Sequence, residues 1–315
     1  MHGKIRSLET PWPKFNDAGT NGLEWGSTTI IGARPGNGKT LICDQIIREG
    51  FKRNPAENFS VLSFQLEMPA KNSAIREFSA ILGRSYKYLC SADGTLSKEN
   101  YDLCLAHAKE AVKYPVNIVE KSPTVQEFTS IIHQYMEHHA MMENVTEETI
   151  LGDTTSIKEI YKKVYKNTII SLDHTILMKK GKGEDTLSML YALGEALTML
   201  KRMYPIVFIV LSQLNRDIEK PERCENGKYS NGVISSDFFG ADAMLMHADI
   251  QIGLTIPGKR KIRFYSTEKY IIENEHIIAA HFIKCRNGDT RTSFFKAEFD
   301  KMQIVEMTTP PQQKS

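Results

Sequence analysis

Residues 33–40 read ARPGNGKT and carry the clearest chemical pattern in the chain. The general phosphate-binding loop is a glycine, four variable residues, then glycine, lysine and serine or threonine, and its backbone N–H groups hold phosphates. Ala33 departs from that pattern, but alanine tolerates the negative φ angles of ordinary backbone. Gly36 and Gly38 let the backbone approach a phosphate closely. The residues predicted to bind a nucleotide are Ala33, Arg34, Pro35, Gly36, Asn37, Gly38, Lys39 and Thr40.

The end of this loop and the end of a second apolar run together predict a site for ATP and Mg²⁺. Lys39 is placed to reach the β- and γ-phosphates, and the Thr40 hydroxyl to bind Mg²⁺. Asp173 follows the apolar run TIISL, a position from which a carboxylate holds Mg²⁺ through water. The alternatives are a chance glycine-rich turn for the loop and a helix cap for Asp173.

Two more polar residues follow apolar runs and extend the predicted site. Glu67 follows SVLSFQ, where a carboxylate can deprotonate an attacking water; the alternative is a solvated loop glutamate. Gln213 follows IVFIVLS, and a polar group at the carboxyl end of a central strand suits a sensor of the γ-phosphate. His133 and Glu137 lie one helical turn apart without a third ligand in register, which favours a solvated helix face over a metal site.

Alternating strand and helix patterns predict the scaffold that positions these side chains. Continuous apolar runs separated by amphipathic stretches are typical of an α/β fold, with a mostly parallel central sheet flanked by helices. The run SFFKAEFDKMQIVEM predicts an antiparallel hairpin at the C-terminal edge. The predicted strands are 27–33, 60–65, 116–119, 168–172, 206–212 and 278–284, and the predicted helices are 40–53, 70–82, 97–113, 124–142 and 186–203.

The same pattern favours a single domain, because no repeat or clear linker interrupts it. We expect an N-terminal arm over 1–19, an ATPase core over 20–306 and a disordered tail over 307–315. The segments predicted as loops are 142–157, which has the character of an insertion, 179–185 and 217–237.

Composition and charge are those of a soluble intracellular protein. Of the 315 residues, 41% are hydrophobic and 25% are charged, and the net charge of +2 neither demands nor excludes a nucleic-acid partner. Five scattered cysteines without a C-x-x-C pair fit a reducing compartment and argue against zinc. No apolar run is long enough to cross a membrane, so we expect a cytoplasmic location and no membrane partner.

Six stretches, in their order along the chain, resemble the motifs of DnaB-type replicative helicases, which are ring ATPases with a RecA-like fold. They are GARPGNGKT, FQLEMP, IISLDH, LSQLNRD, SDFFGADAMLMHAD and IKCRNG. Alanine in the first loop position is itself typical of that family. The resemblance implies a RecA-like P-loop fold over nearly the whole chain, with ATP as substrate and Mg²⁺ as cofactor.

The resemblance also implies a role for each matched residue. Glu67 corresponds to the catalytic base and Asp173 to the magnesium aspartate. Gln213 corresponds to the residue that senses the γ-phosphate and couples it to DNA-binding loops. Lys284 and Arg286 match a basic pair that reaches the nucleotide of the neighbouring subunit. The alternative for Arg286 is a surface cation on a hairpin, which holds if no ring forms.

Members of this family bind single-stranded DNA through loops that face the channel of the ring. The candidates here are segment 217–237 and a basic loop with Lys179, Lys180 and Lys182, whose charges suit the DNA backbone. The alternative is a solvated lysine-rich loop.

The DNA-contact segment departs from the family. Where SDLRESG is usual this chain has SDFFGAD, with Phe239 and Gly240 in the arginine and glutamate positions. Phe238 and Phe239 either stack on bases or pack into the core, and we favour the core.

The sequence therefore predicts an ATP-driven helicase motor of phage type that acts as a ring, expected to be a hexamer, on single-stranded DNA. Only about twenty residues precede the core, whereas the family has a helical N-terminal domain that recruits primase, so a primase or loader partner is the least supported expectation. The alternatives are a helicase-like ATPase that binds or regulates a host replication ring, and a RecA-like recombination ATPase.

Overall fold

A mostly parallel sheet forms the centre of the protein, in a computed structural model that describes residues 7–91, 96–151 and 154–314. The strands are β1 (Ser7–Leu8), β2 (Leu23–Glu24), β3 (Thr28–Ala33), β4 (Phe59–Gln65), β5 (Val116–Val119), β6 (Met141–Leu151), β7 (Thr154–Val164), β8 (Asn167–Asp173), β9 (Ile206–Gln213), β10 (Ile250–Thr255), β11 (Phe264–Tyr265), β12 (Tyr270–Ile271), β13 (Ile277–Cys285), β14 (Arg291–Glu298) and β15 (Gln303–Glu306). The helices are α1 (Pro13–Ala18), α2 (Lys39–Arg53), α3 (Ala70–Leu82), α4 (Tyr86–Cys90), α5 (Lys98–Ala111), α6 (Val125–His138), α7 (Thr186–Met203) and α8 (Ala241–Leu245).

The strand order in the central sheet is β15-β14-β13-β10-β3-β9-β8-β4-β5. The six strands from β10 to β5 run parallel, and β13, β14 and β15 continue the sheet antiparallel. The predicted RecA-like α/β fold and the antiparallel C-terminal hairpin are therefore confirmed. Because parallel strands end at one edge, this order gathers the ends of β3, β4, β8 and β9 on one side.

Alternate residues of the central strands face two separate cores. Ile31 of β3 packs with α1 and α2 on one face, whereas Ile30 packs with α6, α7 and α8 on the other. This division follows from the two-residue period of a strand, and burial on both faces explains why β3 and β9 read as continuous apolar runs. Helix α6 begins with a capping box, in which Thr124 and Glu127 bond each other's backbone N–H groups.

The sequence analysis missed strand β10, which lies between β3 and β13. Its sequence, IQIGLT, is short and contains a glycine and a glutamine, so it lacks the continuous apolar run on which strands were assigned. Gln251 is nevertheless buried, because the neighbouring strands cover it. The predicted strand 278–284 lies within β13, and it joins the sheet antiparallel to β10 rather than in the parallel set.

The prediction of a loop over 142–157 was wrong, because this segment lies within a β-hairpin. Strands β6 and β7 pair antiparallel from Met141 with Val164 to Leu151 with Thr154. Threonine, valine and isoleucine recur along both strands and have high β-propensity, although charged residues between them hide the pattern. The preceding helix ends at His138 rather than at 142 as predicted. Residues 152–153 of the predicted loop lie outside the described residues.

Both ends of the described chain pack on the sheet or its connections. Trp12 is buried and donates its indole N–H to the carbonyl of Ile304 at 3.1 Å. In the segment predicted as a disordered tail, the carbonyl of Gln312 accepts a 2.7 Å hydrogen bond from the backbone N–H of Ile271. Residues 1–6 and 315 of the predicted arm and tail lie outside the described residues. No described helix combines the length and apolarity needed to span a bilayer.

Candidate functional site

The phosphate-binding loop, residues 33–40, joins the end of β3 to the start of α2. Gly36 and Gly38 have φ angles of 73° and 89°, so both sit in the left-handed region that favours glycine. Ala33 is the last residue of β3 and is fully buried, which suits alanine at the position where the general pattern has glycine. The helix N-terminus behind the loop presents free N–H groups and the positive end of a helix dipole.

Four predicted side chains meet at this loop. Lys39 Nζ lies 3.4 Å from Asp173 Oδ1 and 3.4 Å from Glu67 Oε2, and Thr40 Oγ1 donates to Asp173 Oδ2 at 2.8 Å. Asp173 ends β8 and Glu67 follows β4, and these strands are neighbours with Gln65 and Asp173 in register. A hydroxyl and carboxylates are the hard oxygen ligands that Mg²⁺ prefers, so the donor set fits this metal.

His174 is a neighbour of the site to which the sequence analysis gave no role. Its Nε2 lies 3.7 Å from Glu67 Oε2, and its side chain is 11% exposed whereas that of Glu67 is 50% exposed. Burial, and secondarily the charge of Lys39, lowers the pKa of His174, so the imidazole is neutral at neutral pH. The signal in the sequence was a polar residue directly after Asp173.

Two other residues border the loop and were not predicted. Lys259 donates to the carbonyl of Gly36 at 2.8 Å, and its ammonium lies 5.3 Å from the ring centre of Phe299. Phe299 in turn lies beside Gly38, since a Cβ built on that glycine would be 3.6 Å from the phenyl ring. Lys259 follows β10 and Phe299 follows β14, so only the sheet order brings them to the loop.

Arg34, predicted to bind the nucleotide, has other partners. Its Nε lies 2.9 Å from Glu219 Oε1, and its Nη1 donates to the carbonyl of Leu214 at 3.0 Å. The loop is thereby connected to the segment that follows Gln213. Gln213 ends β9 in register with Ala33 of β3, directly beside the loop.

The two phenylalanines of SDFFGAD have different surroundings. Phe238 is buried against Gly32 of β3, where an added Cβ would lie only 2.4 Å from its ring. Phe239 is 42% exposed, and its backbone N–H donates to the carbonyl of Gln213 at 2.9 Å. The expectation that both pack into the core is therefore wrong for Phe239, because consecutive residues of extended chain point to opposite sides.

Segment 217–237 is folded around a buried ion pair. Arg223 donates to both oxygens of Asp237 at 2.9 Å, and their side chains are only 14% and 2% exposed. Asn231 is fully buried and donates to the carbonyls of Arg223 and Glu225. The polar residues that made this segment read as an irregular loop thus satisfy one another inside it.

The basic loop lies near the start of α7. Lys179 and Lys180 are exposed, and Lys182 is exposed beyond Gly181. The backbone N–H of Lys179 donates to the carbonyl of Pro123, which ties the loop to the turn before α6. Its lysines face solvent, where a phosphate backbone could meet them.

Lys284 and Arg286 lie far from the loop of their own chain. Arg286 Nη1 contacts Asp249 Oδ1 at 2.9 Å, and Lys284 Nζ donates to the carbonyl of Leu245 at 2.9 Å. Asp249 precedes β10, whose first residue pairs with Thr29 near the start of β3, whereas the loop follows the end of β3. The pair therefore lies at the opposite end of the sheet from the phosphate-binding loop.

The pair His133 and Glu137 takes part in a hydrogen-bonded cluster. Glu137 contacts Lys163 at 2.7 Å, accepts from Tyr165 at 2.7 Å and accepts from Tyr204 at 3.2 Å; His133 contacts the Tyr204 hydroxyl. Among the described residues, no group of three or more His, Cys, Asp or Glu side chains is placed to hold a metal ion. This cluster anchors the base of the β6–β7 hairpin to α6 and α7.

The fold and this site define a P-loop protein with a RecA-like core. The sequence profile of the DnaB-like helicase C terminal domain matches residues 8–303, and the chain belongs to that family. A comparison with curated protein sequences finds no match.

Three solved structures resemble the chain in fold. One is the ATPase domain of another protein, which is 18% identical, with a TM-score of 0.73 over 97% of this chain and 93% of that one. A DnaB-like replicative helicase, solved in a study of its interactions with primase, is 19% identical, with a TM-score of 0.72 over 96% of this chain and 62% of that one. The KaiC-like protein PH0186 from Pyrococcus horikoshii OT3 is 14% identical, with a TM-score of 0.53 over 96% of this chain and 99% of that one.

Proposed function

We propose that this protein is an ATP-dependent DNA helicase motor of the DnaB type, which hydrolyses ATP at subunit interfaces and translocates on single-stranded DNA. One observation carries the proposal: in a chain of this family, Lys39, Thr40, Asp173 and Glu67 converge on one phosphate-binding loop. No described helix could hold the chain in a membrane, and the proposed site of action is the cytoplasm.

In the proposed reaction the loop N–H groups and Lys39 hold the β- and γ-phosphates, and Lys39 exchanges its two carboxylate partners for phosphate oxygens. Thr40 and Asp173 hold Mg²⁺, which neutralises charge on those oxygens when bound. Glu67 accepts a proton from the attacking water, as its exposure and its position after β4 allow. The new bond joins the water oxygen to the γ-phosphorus, and the bond to the bridging oxygen breaks.

His174 is proposed to keep Glu67 turned toward the loop. A neutral imidazole can direct its Nε2–H at the carboxylate without adding a second positive charge next to Lys39.

Gln213 is proposed to relay the state of the γ-phosphate to DNA. It stands beside the loop, and its carbonyl already binds the N–H of Phe239, the exposed aromatic residue of the altered DNA-contact segment. A small shift of Gln213 toward a phosphate would therefore move Phe239. Stacking on Phe239 is sequence-tolerant, and Lys179, Lys180 and Lys182 add backbone contacts that weaken with salt.

Lys284 and Arg286 are proposed to act on the nucleotide of a neighbouring subunit. Their position at the opposite end of the sheet excludes their own loop, and a head-to-tail contact between copies would join that end to the loop of the next copy. An arginine supplied in this way stabilises charge on the transferring phosphoryl group. A ring, for which we propose six subunits, follows if the contact closes.

The experiment that tests this function is sedimentation of the protein with a non-hydrolysable ATP analogue and single-stranded DNA, followed by ATPase and unwinding assays. We expect a closed oligomer with DNA-stimulated hydrolysis, and loss of nucleotide binding in Lys39→Ala. The matched control is Lys98→Ala, an exposed lysine at the start of α5. A monomer without DNA-stimulated hydrolysis contradicts the motor and favours an ATPase that regulates another ring.

A further inference from the structure

A cavity of about 220 Å³ lies beside the helix that follows the phosphate-binding loop. Its walls come from α2, α3 and α5 and from strands β4 and β5 at the edge of the sheet. Phe51 and Tyr114 form one wall, with their rings stacked at 4.4 Å and 13°. Lys259 and Phe299, which border the loop itself, are not among its lining residues, so this cavity is separate from the loop's outer side.

The charged side chains of the cavity leave a positive excess. Glu77 contacts His107 at 2.9 Å, and Glu110 contacts Lys113 at 2.6 Å, so both carboxylates have partners. Arg76 makes no ion pair or hydrogen bond within the described part of the chain. The cavity therefore holds at least one guanidinium that lacks a matching anion.

Arg48 is the second such guanidinium. Among the described residues its contact is a 3.5 Å hydrogen bond to the carbonyl of Met302. Burial lowers the pKa of Arg48, which means that desolvation of its charge is not fully offset by neighbouring carboxylates. An anion in the cavity would offset that cost.

Asp44 is the remaining acid, and it does not neutralise the arginines. Burial raises the pKa of Asp44 to about 7, against the opposing effects of Arg76 and Arg48. Close to neutral pH a large part of this carboxyl is therefore protonated, and it can donate a hydrogen bond to a ligand as well as accept one.

We infer that this cavity binds a small planar anion, an aromatic ring that carries a phosphate or a carboxylate, as in a nucleoside monophosphate. Arg48 and Arg76 bind the anionic group, because a guanidinium fork matches phosphate and carboxylate oxygens. The ring lies against the wall of Phe51 and Tyr114, and Asp44 contacts its polar edge. This site is distinct from the one at Lys39 and does not depend on the proposed helicase activity.

The test is calorimetric titration of the full chain with deoxythymidine monophosphate, and separately with benzoate, after the loop has been saturated with a non-hydrolysable ATP analogue and Mg²⁺. The two probes distinguish a phosphate ligand from a carboxylate ligand. Arg76→Gln and Arg48→Gln each remove one arm of the clamp. The matched control is Arg84→Gln, an exposed arginine just beyond the end of α3.

We expect one probe to bind at one site per chain, about tenfold or more weaker in Arg48→Gln and Arg76→Gln and unchanged in Arg84→Gln, because a charge-assisted hydrogen bond is lost. Ala74→Phe should block the cavity without disturbing the core, since Ala74 is exposed and lines it. Unchanged binding of the ATP analogue verifies that each variant is folded. The inference is overturned if neither probe binds once the loop is saturated, or if binding survives all three cavity substitutions.

Discussion

Mixing two inactive variants tests whether Arg286 acts on the nucleotide of a neighbouring subunit. Lys39→Ala removes the loop lysine, and Arg286→Ala removes the proposed finger, so each variant alone should lose activity, by a factor of about 10³–10⁵ where the arginine is missing. If the two groups serve different subunits, each variant supplies what the other lacks. If they serve one subunit, no mixture can recover.

The structure sets the scale of this prediction. Arg286 lies at the level of Thr28, and β3 runs from Thr28 to Ala33, a span of about 17 Å at about 3.3 Å per residue. An arginine side chain is shorter than that, so Arg286 cannot reach its own loop. The substitution should leave the fold intact, because Asp249 keeps Lys201 as a partner and an ion pair with so exposed an arginine contributes about 0–1 kcal/mol.

The assay is DNA-stimulated ATP hydrolysis by each variant and by an equal mixture, after dissociation and reassembly with single-stranded DNA. In a randomly assembled ring, about one quarter of the interfaces combine an intact loop with an intact arginine, so about a quarter of the sites should recover. Arg291→Ala, which removes a nearby arginine that pairs with Asp17, serves as the control and should hydrolyse ATP normally. A mixture as inactive as its parents, or normal turnover by Arg286→Ala, would refute the assignment.

Three further predictions concern the elements around the site. Asp237→Ala should lower the free energy of unfolding by about 3–5 kcal/mol in a denaturant titration, because Arg223 is left buried and unpaired; a loss below about 1 kcal/mol contradicts this. Hydrogen bonds from Lys163 and then Tyr165 lower the pKa of Glu137 from 4.5 to about 2, so its contribution to stability is present above pH 4.5 and is lost as the pH falls toward 2. Glu137→Gln should flatten that acid limb, and an unchanged pH profile of stability would exclude the contribution. Phe239→Ala should weaken binding of single-stranded DNA by about 1–3 kcal/mol in fluorescence anisotropy, whereas Phe238→Ala should instead destabilise the fold; equal effects on both properties would show that the two rings do not differ in role.

The sequence by itself determined the features that depend on neighbours along the chain. The loop of residues 33–40 is specified locally, because glycines at 36 and 38 permit the turn and a β-branched run and an amphipathic helix flank it. Asp173 and Glu67 were found because each follows an apolar run, and parallel strands that end at one edge had to bring them to the loop. The family resemblance rested on the same short stretches, and the profile match over 8–303 agrees with it.

The sequence misled where secondary structure depends on distant partners. Strand β10 is covered by β3 and β13, which come from remote parts of the chain, so its glycine and buried Gln251 are accommodated by neighbours that no local pattern reveals. The β6–β7 hairpin shows the same effect, since its strands are paired with each other across a polar sequence that reads as a loop.

Only the tertiary structure decided which side chains meet. Local sequence cannot distinguish Phe238, packed on Gly32, from the exposed Phe239, nor predict that Arg286 lies with Asp249 at the far end of the sheet. The partners of these side chains are fixed by strand order and by the space left between packed layers, both of which arise from contacts between residues far apart in sequence. The loop chemistry is thus written in eight consecutive residues, whereas the finger, the aromatic contact and the cavity beside α2 exist only once the sheet has formed.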